Sequence, residues 1–564
     1  MTQNIPQSTQ ERRNRLLQLL SDLYGVRTAG DTAQRLWQRL EASPGVSSTP
    51  RNDCMLITYG DTLLKADEVP LQVLHTFLQN HLSDVCGRVH LLPFYPSSSD
   101  DGFAVIDYRM VDHHVGGWTD VEAIAADFDV MFDLVINHCS RENLWFADFV
   151  SGRAPGKNYF ITLPEESDTS AVARPRSTPL ISAIHTYEGI RHVWNTFSDD
   201  QIDLDFSNPD VLLEFVDIML FYVERGAALL RLDAVGYLWK RLGSSCLNLP
   251  EAHVAVKILR LLLDEVAPDV KIITETNVPH VENVAYFGDG DEADLVYQFS
   301  LPPLLLYSFV FGDSQYLQTW AQQLDTPPAG KTYLNFIASH DGIGLRPLEG
   351  LVPEAEVDRL VDAMHERGGF MTLRTVRGSK QRPYEINVSL MSAFGGEVGL
   401  PAYLAAHGLM LSFQGSPAIY VHSFLGTLND IEGVEQTGRT RSINRRKWDV
   451  EELNSLLADP ISLQAQALAG VSALVKKRNQ LSAFDAQAEQ KVVVSDTRLF
   501  VLQRHSRDQS INVVCNLSSE TITIERAALE LTEEQLFCHI AQTDLASASH
   551  LQVAPWQLYW LEEK

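Results

Sequence analysis

Short, unbroken apolar runs recur along most of the chain, each closed by a turn and usually followed by a helical pattern. They are CMLITYG (54–60), RVHLLPFY (88–95), VMFDLVINH (130–138), ALLRLDAVG (228–236), KIITETN (271–277), DLVYQFS (294–300), YLNFIASHD (333–341) and SPAIYVHS (416–423). Unbroken runs predict strands of a parallel sheet covered on both faces, since a half-exposed strand would alternate apolar and polar positions. Residues 211–225 and 252–266 carry apolar positions at helical spacing and predict crossover helices between such strands. Eight strands in this rhythm predict a (β/α)8 TIM barrel, an α/β fold, with a doubly wound open sheet as the alternative. Residues 12–23 and 33–40 predict amphipathic helices ahead of the first strand.

Two spacings exceed a simple crossover. About 90 residues, rich in Pro, Ser and aromatics, separate the third run from the fourth, against crossovers of a dozen or so. A second insertion, containing GIGLRPLEG and RGSKQRPYEIN, separates the seventh run from the eighth. Both leave from the C-terminal ends of strands, the catalytic face of such barrels, where insertions form lids and substrate walls. Beyond residue 484 the pattern changes to alternation in KVVVSD, LFVLQRH, INVVCNLS, TITIER, QLFCHI and QLYWLEE, which predicts an antiparallel β-domain. The expected organisation is N-terminal helices and barrel over 1–90, an insertion over 91–208 and barrel over 209–340. A second insertion then spans 341–403, barrel resumes over 404–483, and the β-domain covers 484–564.

Composition matters mainly for what it excludes. The 564 residues carry 45 Lys and Arg against 73 Asp and Glu, a formal charge of −28. A polyanion of this size repels nucleic acid and anionic lipid. No apolar run reaches the roughly 18 residues of a membrane span, and the polar start MTQNIPQSTQERRNR has no signal-peptide apolar stretch. Cys54, Cys86, Cys139, Cys246, Cys515 and Cys538 lie far apart with no C-x-x-C pair, the pattern of buried free thiols in a reducing cytoplasm. The expectation is a cytoplasmic monomer or homodimer acting on small molecules, with no nucleic-acid or membrane partner.

Three acids end predicted strands: Asp233 the fourth, Glu275 the fifth and Asp341 the seventh. All three should project into one barrel mouth. A lone acid at a strand end commonly caps or pairs, but three around one mouth, with Arg231 and His340 as neighbours, suit glycoside chemistry. Two carboxyls flanking a glycosidic bond supply a nucleophile and an acid/base. A third can stabilise an oxocarbenium-like transition state or hold sugar hydroxyls.

DLVINH (133–138), LLRLDAVGY (229–237), ITETN (273–277) and ASHDGIG (338–344) resemble the four sequence regions of the α-amylase superfamily of glycoside hydrolases, and QIDLD (201–205) resembles its fifth. The resemblance runs from about Cys54 onward. VHLLPFYPSSSDDGFAVIDY, RPR (174–176), FSDDQIDLD, YQFSLPPLLL and HDGIGLRPLEGLVP look like the sucrose phosphorylase subgroup, which transfers glucose from an α-glucoside to phosphate with retention. The resemblance implies Asp233 as nucleophile, Glu275 as general acid/base and Asp341 as transition-state stabiliser. It also implies glucose contacts from Asp61, His90, Arg231, His340 and Arg441, an aromatic platform at Phe197, and acceptor-side positions at Gln201 and Tyr237. Asp61 and Arg441 can make charge-assisted bonds to sugar hydroxyls.

Phosphate is a dianion and needs a cation, so Arg176 of Arg-Pro-Arg is the candidate phosphate ligand; a surface salt bridge is the plainer reading of such a tripeptide. Asn137 matches a calcium ligand of many amylases, but the subgroup lacks that calcium, and the expectation is no metal and no cofactor. GDGDEAD (288–294) lacks the twelve-residue pattern of a calcium loop and is an acidic turn. After Asp341 the stretch continues Leu345, Arg346, Pro347, which resembles the branch acting on glucosylglycerol or glucosylglycerate more than the sucrose enzymes. Glycerate would need a cation, and Arg374, Arg377, Lys380 and Arg382 are candidates, unless they simply solvate a lid. The expected substrate is 2-O-α-D-glucosylglycerol. The alternatives, in order, are glucosylglycerate, sucrose or sucrose 6′-phosphate phosphorolysis, then an α-glucosidase.

Overall fold

A computed structural model describes residues 9–42, 51–176, 178–376, 380–531, 535–545 and 548–563. Eight parallel strands close into a barrel: β1 (Met55–Thr58), β2 (Arg88–Leu91), β3 (Asp129–Val135), β4 (Ala227–Asp233), β5 (Lys271–Thr274), β6 (Leu295–Tyr297), β7 (Thr332–Asn335) and β8 (Ser416–Tyr420). Each pairs with its neighbours in sequence, and β1 closes on β8 with Met55 opposite Ala418. The unbroken apolar runs are explained: β4 and β8 are buried almost throughout because helices cover one face and barrel side chains fill the other. Helices Pro209–Glu224 and Pro250–Val266 are the predicted crossovers, each started by a proline whose missing N–H costs nothing in the first turn.

The N-terminal helix Thr9–Ala42 is broken at Gly25, whose φ of 75° and ψ of 157° are not helical. Its two arms correspond to the two predicted amphipathic stretches, and they bury Leu16, Leu20 and Leu36 while packing on the two crossover helices.

The third run was expected to continue to His138. Instead β3 ends at Val135, and His138–Ser140 pairs antiparallel with Gln201–Asp203. That pairing fastens the return of the first insertion to the mouth of the barrel. The body of this insertion is the hairpin Ile181–Thr186 and Gly189–Trp194, extended by Thr162–Leu163. The second insertion is a three-stranded sheet, Ile343–Gly344, Lys380–Asn387 and Phe370–Val376, whose register sets Gly344 opposite Glu385. Beyond the barrel, a six-stranded sheet runs from Glu489–Val493 to Leu558–Glu563 and packs Phe500 and Trp560 into the main core. It includes Thr543–Leu545, and a separate ribbon pairs Ile522–Glu525 with His550–Val553; these two later strands were not anticipated. Among the described residues no helix is long and apolar enough to cross a membrane. All six cysteines are buried and free.

Candidate active site

A cavity opens at the C-terminal mouth, lined by Asp233, Glu275 and Asp341 together with Arg176, Phe197, Gln201, Arg231, His340 and Arg441. The strand register explains how charge is brought there. Arg231 on β4 stands opposite Asp133 on β3, and its Nη1 donates to Asp133 and, at 2.8 Å, to Oδ1 of Asp233. Asp233 is the last residue of β4. The next residue, Ala234, is left-handed (φ 53°, ψ 27°), so the chain turns sharply there, a conformation that costs a non-glycine residue roughly 1–2 kcal/mol. The turn aims the Ala234 N–H at Oε2 of Glu275, 3.0 Å away. Glu275 is itself held at the end of β5 by its N–H on the Leu232 carbonyl at 3.1 Å.

Burial raises the pKa of both Asp233 and Glu275, and the two carboxylates repel one another. Two carboxyls that interact in this way titrate as a pair. Arg231 opposes that rise at both carboxyls and bonds Asp233 directly, whereas Glu275 feels Arg231 and Arg441 at longer range and takes its hydrogen bond from the Ala234 backbone N–H. Asp341 is the opposite case. Burial alone would raise its pKa, but the guanidinium groups of Arg441, at 2.6 Å, and Arg445 outweigh it and hold the carboxyl far below the usual range.

Histidines here are neutral. Burial pushes His340 down to about 3, and its ring stacks on Phe103 with centroids 5.4 Å apart and planes 9° from parallel. His90 lies beneath the cavity rather than on its wall, its Nε2 2.6 Å from Oδ2 of Asp133. Among the described residues the Nδ1 atoms of both rings are buried without a partner. Unpartnered buried polar atoms are costly, and at His340, on the cavity wall, a sugar hydroxyl would satisfy the ring.

Two expected sugar contacts have protein partners, one of them within the cavity wall. Arg441 forms a two-pronged pair with Glu385, Nε at 3.0 Å and Nη2 at 2.6 Å, besides its bond to Asp341. Asp61, expected to reach sugar together with Arg441, instead pairs with Lys447 and does not line the cavity. For Arg441 the physical reason is the second insertion, which carries the buried Glu385 over the mouth; for Asp61 it is the loop after β8, which carries Lys447. Phe197 lies edge-on to Tyr237, with centroids 5.4 Å apart. Gln201 bonds Asp100 and His138, each at 3.1 Å.

Arg176 lines the cavity, and no described acid stands within ion-pair distance of it. Its charge, with those of Arg441 and Arg445, overcomes the effect of burial and lowers the pKa of Asp100. The loop cations behave differently. Arg374 pairs with Glu349, and Arg382 pairs with Glu354 at 2.8 Å, both around a separate cleft outside the mouth. Neither lines the cavity. Arg377 and the side chain of Lys380 lie outside the described residues.

Phe103, Asn277, Tyr384 and Glu385 also line the cavity and were not singled out from sequence, although Phe103 and Asn277 stood inside recognised motifs. Arg445 was missed as well. It lies over the Tyr59 ring at 5.5 Å and pairs with Asp101, tying the loop after β8 to the first insertion. At Asn137, the position that matches a calcium ligand, the ammonium of Lys240 lies 2.7 Å from the amide Oδ1 and 2.6 Å from Oδ2 of Asp203. The acidic turn 288–294 is neutralised by Lys257, Arg260 and Lys331.

A family model described as "Alpha amylase, catalytic domain" matches residues 85–341. The chain is 43% identical over 529 residues to the glucosylglycerate phosphorylase of Spirochaeta thermophila, which covers 91% of this chain and 90% of that one. Identity to the glucosylglycerol phosphorylase of Marinobacter adhaerens is 27%, over 86% of this chain and 98% of the other. Among solved structures, sucrose 6F-phosphate phosphorylase from Thermoanaerobacter thermosaccharolyticum matches with a TM-score of 0.73 at 27% identity, covering 84% of this chain and 96% of that one.

Proposed function

The chain belongs to the α-amylase family, as one of its glycoside phosphorylases, and we propose that its glycoside is glucosylglycerate. Glucose 1-phosphate and glycerate are then the products. This replaces glucosylglycerol, the expectation from sequence, because the glucosylglycerate relative is much the more similar over almost the whole chain. The observation that carries the phosphorylase reading is Arg176, a cation with no described acid partner, facing the same cavity as the carboxyl pair in a protein of charge −28.

The chemistry follows from the charges. Glucose binds with C1 between Asp233 and Glu275. Ionised Asp233 attacks C1 while protonated Glu275 gives its proton to the departing glycerate oxygen, leaving a glucosyl ester on Asp233 and a carboxylate on Glu275. Asp341, held ionised by Arg441, stabilises the positive charge that develops on the ring between these states. Hydrogen phosphate then enters on the vacated side, paired with Arg176. Its oxygen attacks C1 as Glu275 takes its proton, and Asp233 is released. Two displacements at one carbon retain the α configuration.

No metal takes part in this scheme; the Lys240 ammonium between Asn137 and Asp203 supplies a positive charge locally. The test is cleavage of a panel of α-glucosides with and without phosphate, with glucose 1-phosphate measured. Phosphate-dependent glucose 1-phosphate from glucosylglycerate, ahead of glucosylglycerol and sucrose, is the expected result. Glucose released at one rate with or without phosphate would make the enzyme a hydrolase.

A further inference from the structure

Next to the cavity wall, though not itself lining the cavity, the structure holds a second cation. Arg346 begins the short turn Arg346–Leu348, directly after the strand Ile343–Gly344. The neighbouring N–H of Leu345 bonds the Tyr384 carbonyl at 2.9 Å, which ties the turn to a residue of the cavity wall. The Arg346 guanidinium faces the Tyr237 phenol, and Tyr237 in turn lies within electrostatic reach of Tyr384 and Glu275. Its Nε is buried without a partner, and among the described residues no carboxylate pairs with the group. Asn277, on the cavity wall, likewise has a buried Oδ1 with no partner.

Resting on the glucosylglycerate reading above, we propose that Arg346 binds the carboxylate of glycerate and that Asn277 Oδ1 accepts a hydrogen bond from a glycerate hydroxyl, so that Arg346 sets the choice of an anionic over a neutral three-carbon acceptor. For a half-buried guanidinium whose Nε–H is buried and idle, a glycerol hydroxyl would offer only a neutral acceptor, whereas a carboxylate satisfies both its charge and its donor. Arg374 and Arg382 cannot substitute, since Glu349 and Glu354 already hold them.

The experiment is glucosylation from glucose 1-phosphate with glycerate or glycerol as acceptor, in wild type, Arg346→Gln and Arg346→Lys. Because the ratio of kcat/KM for the two acceptors is taken within one preparation, loss of folded protein cancels. Arg346→Gln should lower the glycerate-to-glycerol ratio by roughly 10- to 100-fold, the size expected for a charged hydrogen bond, and Arg346→Lys by less. A wild type that prefers glycerate, with a ratio left unchanged by Arg346→Gln, overturns this inference and leaves the substrate reading intact. A wild type that prefers glycerol or fructose overturns both.

Discussion

The Ala234 N–H donates to Oε2 of Glu275 at 3.0 Å, so the residue that follows one carboxylate fixes the position of the other. The bond joins the ends of β4 and β5 across the parallel ladder. It makes the separation of Asp233 and Glu275 a property of the barrel rather than of two mobile side chains.

Replacing either carboxyl should separate their roles. Asp233→Asn should lose on the order of 10⁴-fold or more in kcat on every donor, since no covalent intermediate forms. Glu275→Gln should keep far more activity on α-glucosyl fluoride, whose leaving group needs no proton. In the proposed scheme Glu275 is the protonated acid, so kcat/KM on natural glycosides should fall as pH rises through its raised pKa. The fluoride reaction should lack that limb, and equal losses on both donors would remove Glu275 from the acid role.

Arg176→Ala should weaken phosphorolysis by roughly 10- to 100-fold, the value of a charge-assisted contact. Hydrolysis needs no anion site and should suffer less. Initial rates against phosphate concentration, with glucose and glucose 1-phosphate measured separately, decide the matter. A parallel drop in both products would place Arg176 in structure rather than in phosphate binding.

Glu385 and Arg441 form a buried, two-pronged pair over the mouth. Removing the acid leaves a guanidinium half-compensated, and Glu385→Gln should destabilise the protein by roughly 3 kcal/mol. Chemical denaturation of the single and double variants, with Arg441→Gln as the second, should show a coupling of about 1–3 kcal/mol. Strict additivity would mean that the pair is not formed in solution.

Stability should decline as pH falls below about 6.5, the ordinary histidine value. Burial pushes His340 to about 3, His407 to about 4 and His422 to about 3. Between those values and 6.5 the unfolded chain binds protons that the folded chain refuses, so each histidine takes away up to about 1.4 kcal/mol per pH unit. His407→Leu should make the decline between pH 6.5 and 4.5 shallower by about that amount, measured as unfolding free energy at several pH values. An unchanged slope would show that His407 is protonated in the folded state.

What the sequence determined by itself is the barrel and the position of its acids. A strand buried on both faces writes itself as an unbroken apolar run whose end faces the mouth, so Asp233 and Glu275 were placed by local pattern, whereas β7 stops at Asn335 and Asp341, expected to end it, lies on the loop beyond. Tertiary structure decided everything that depends on how the insertions lie. Glu385 meets Arg441 across 56 positions of sequence, and Asp61 meets Lys447 across 386. Arg374 turns away to Glu349 while Arg346 turns toward Tyr237. None of these pairings leaves a periodic signal. The partners of a charged side chain on a long loop are chosen by non-local packing and by the energy of leaving no buried charge alone, and those exist only once the chain has folded.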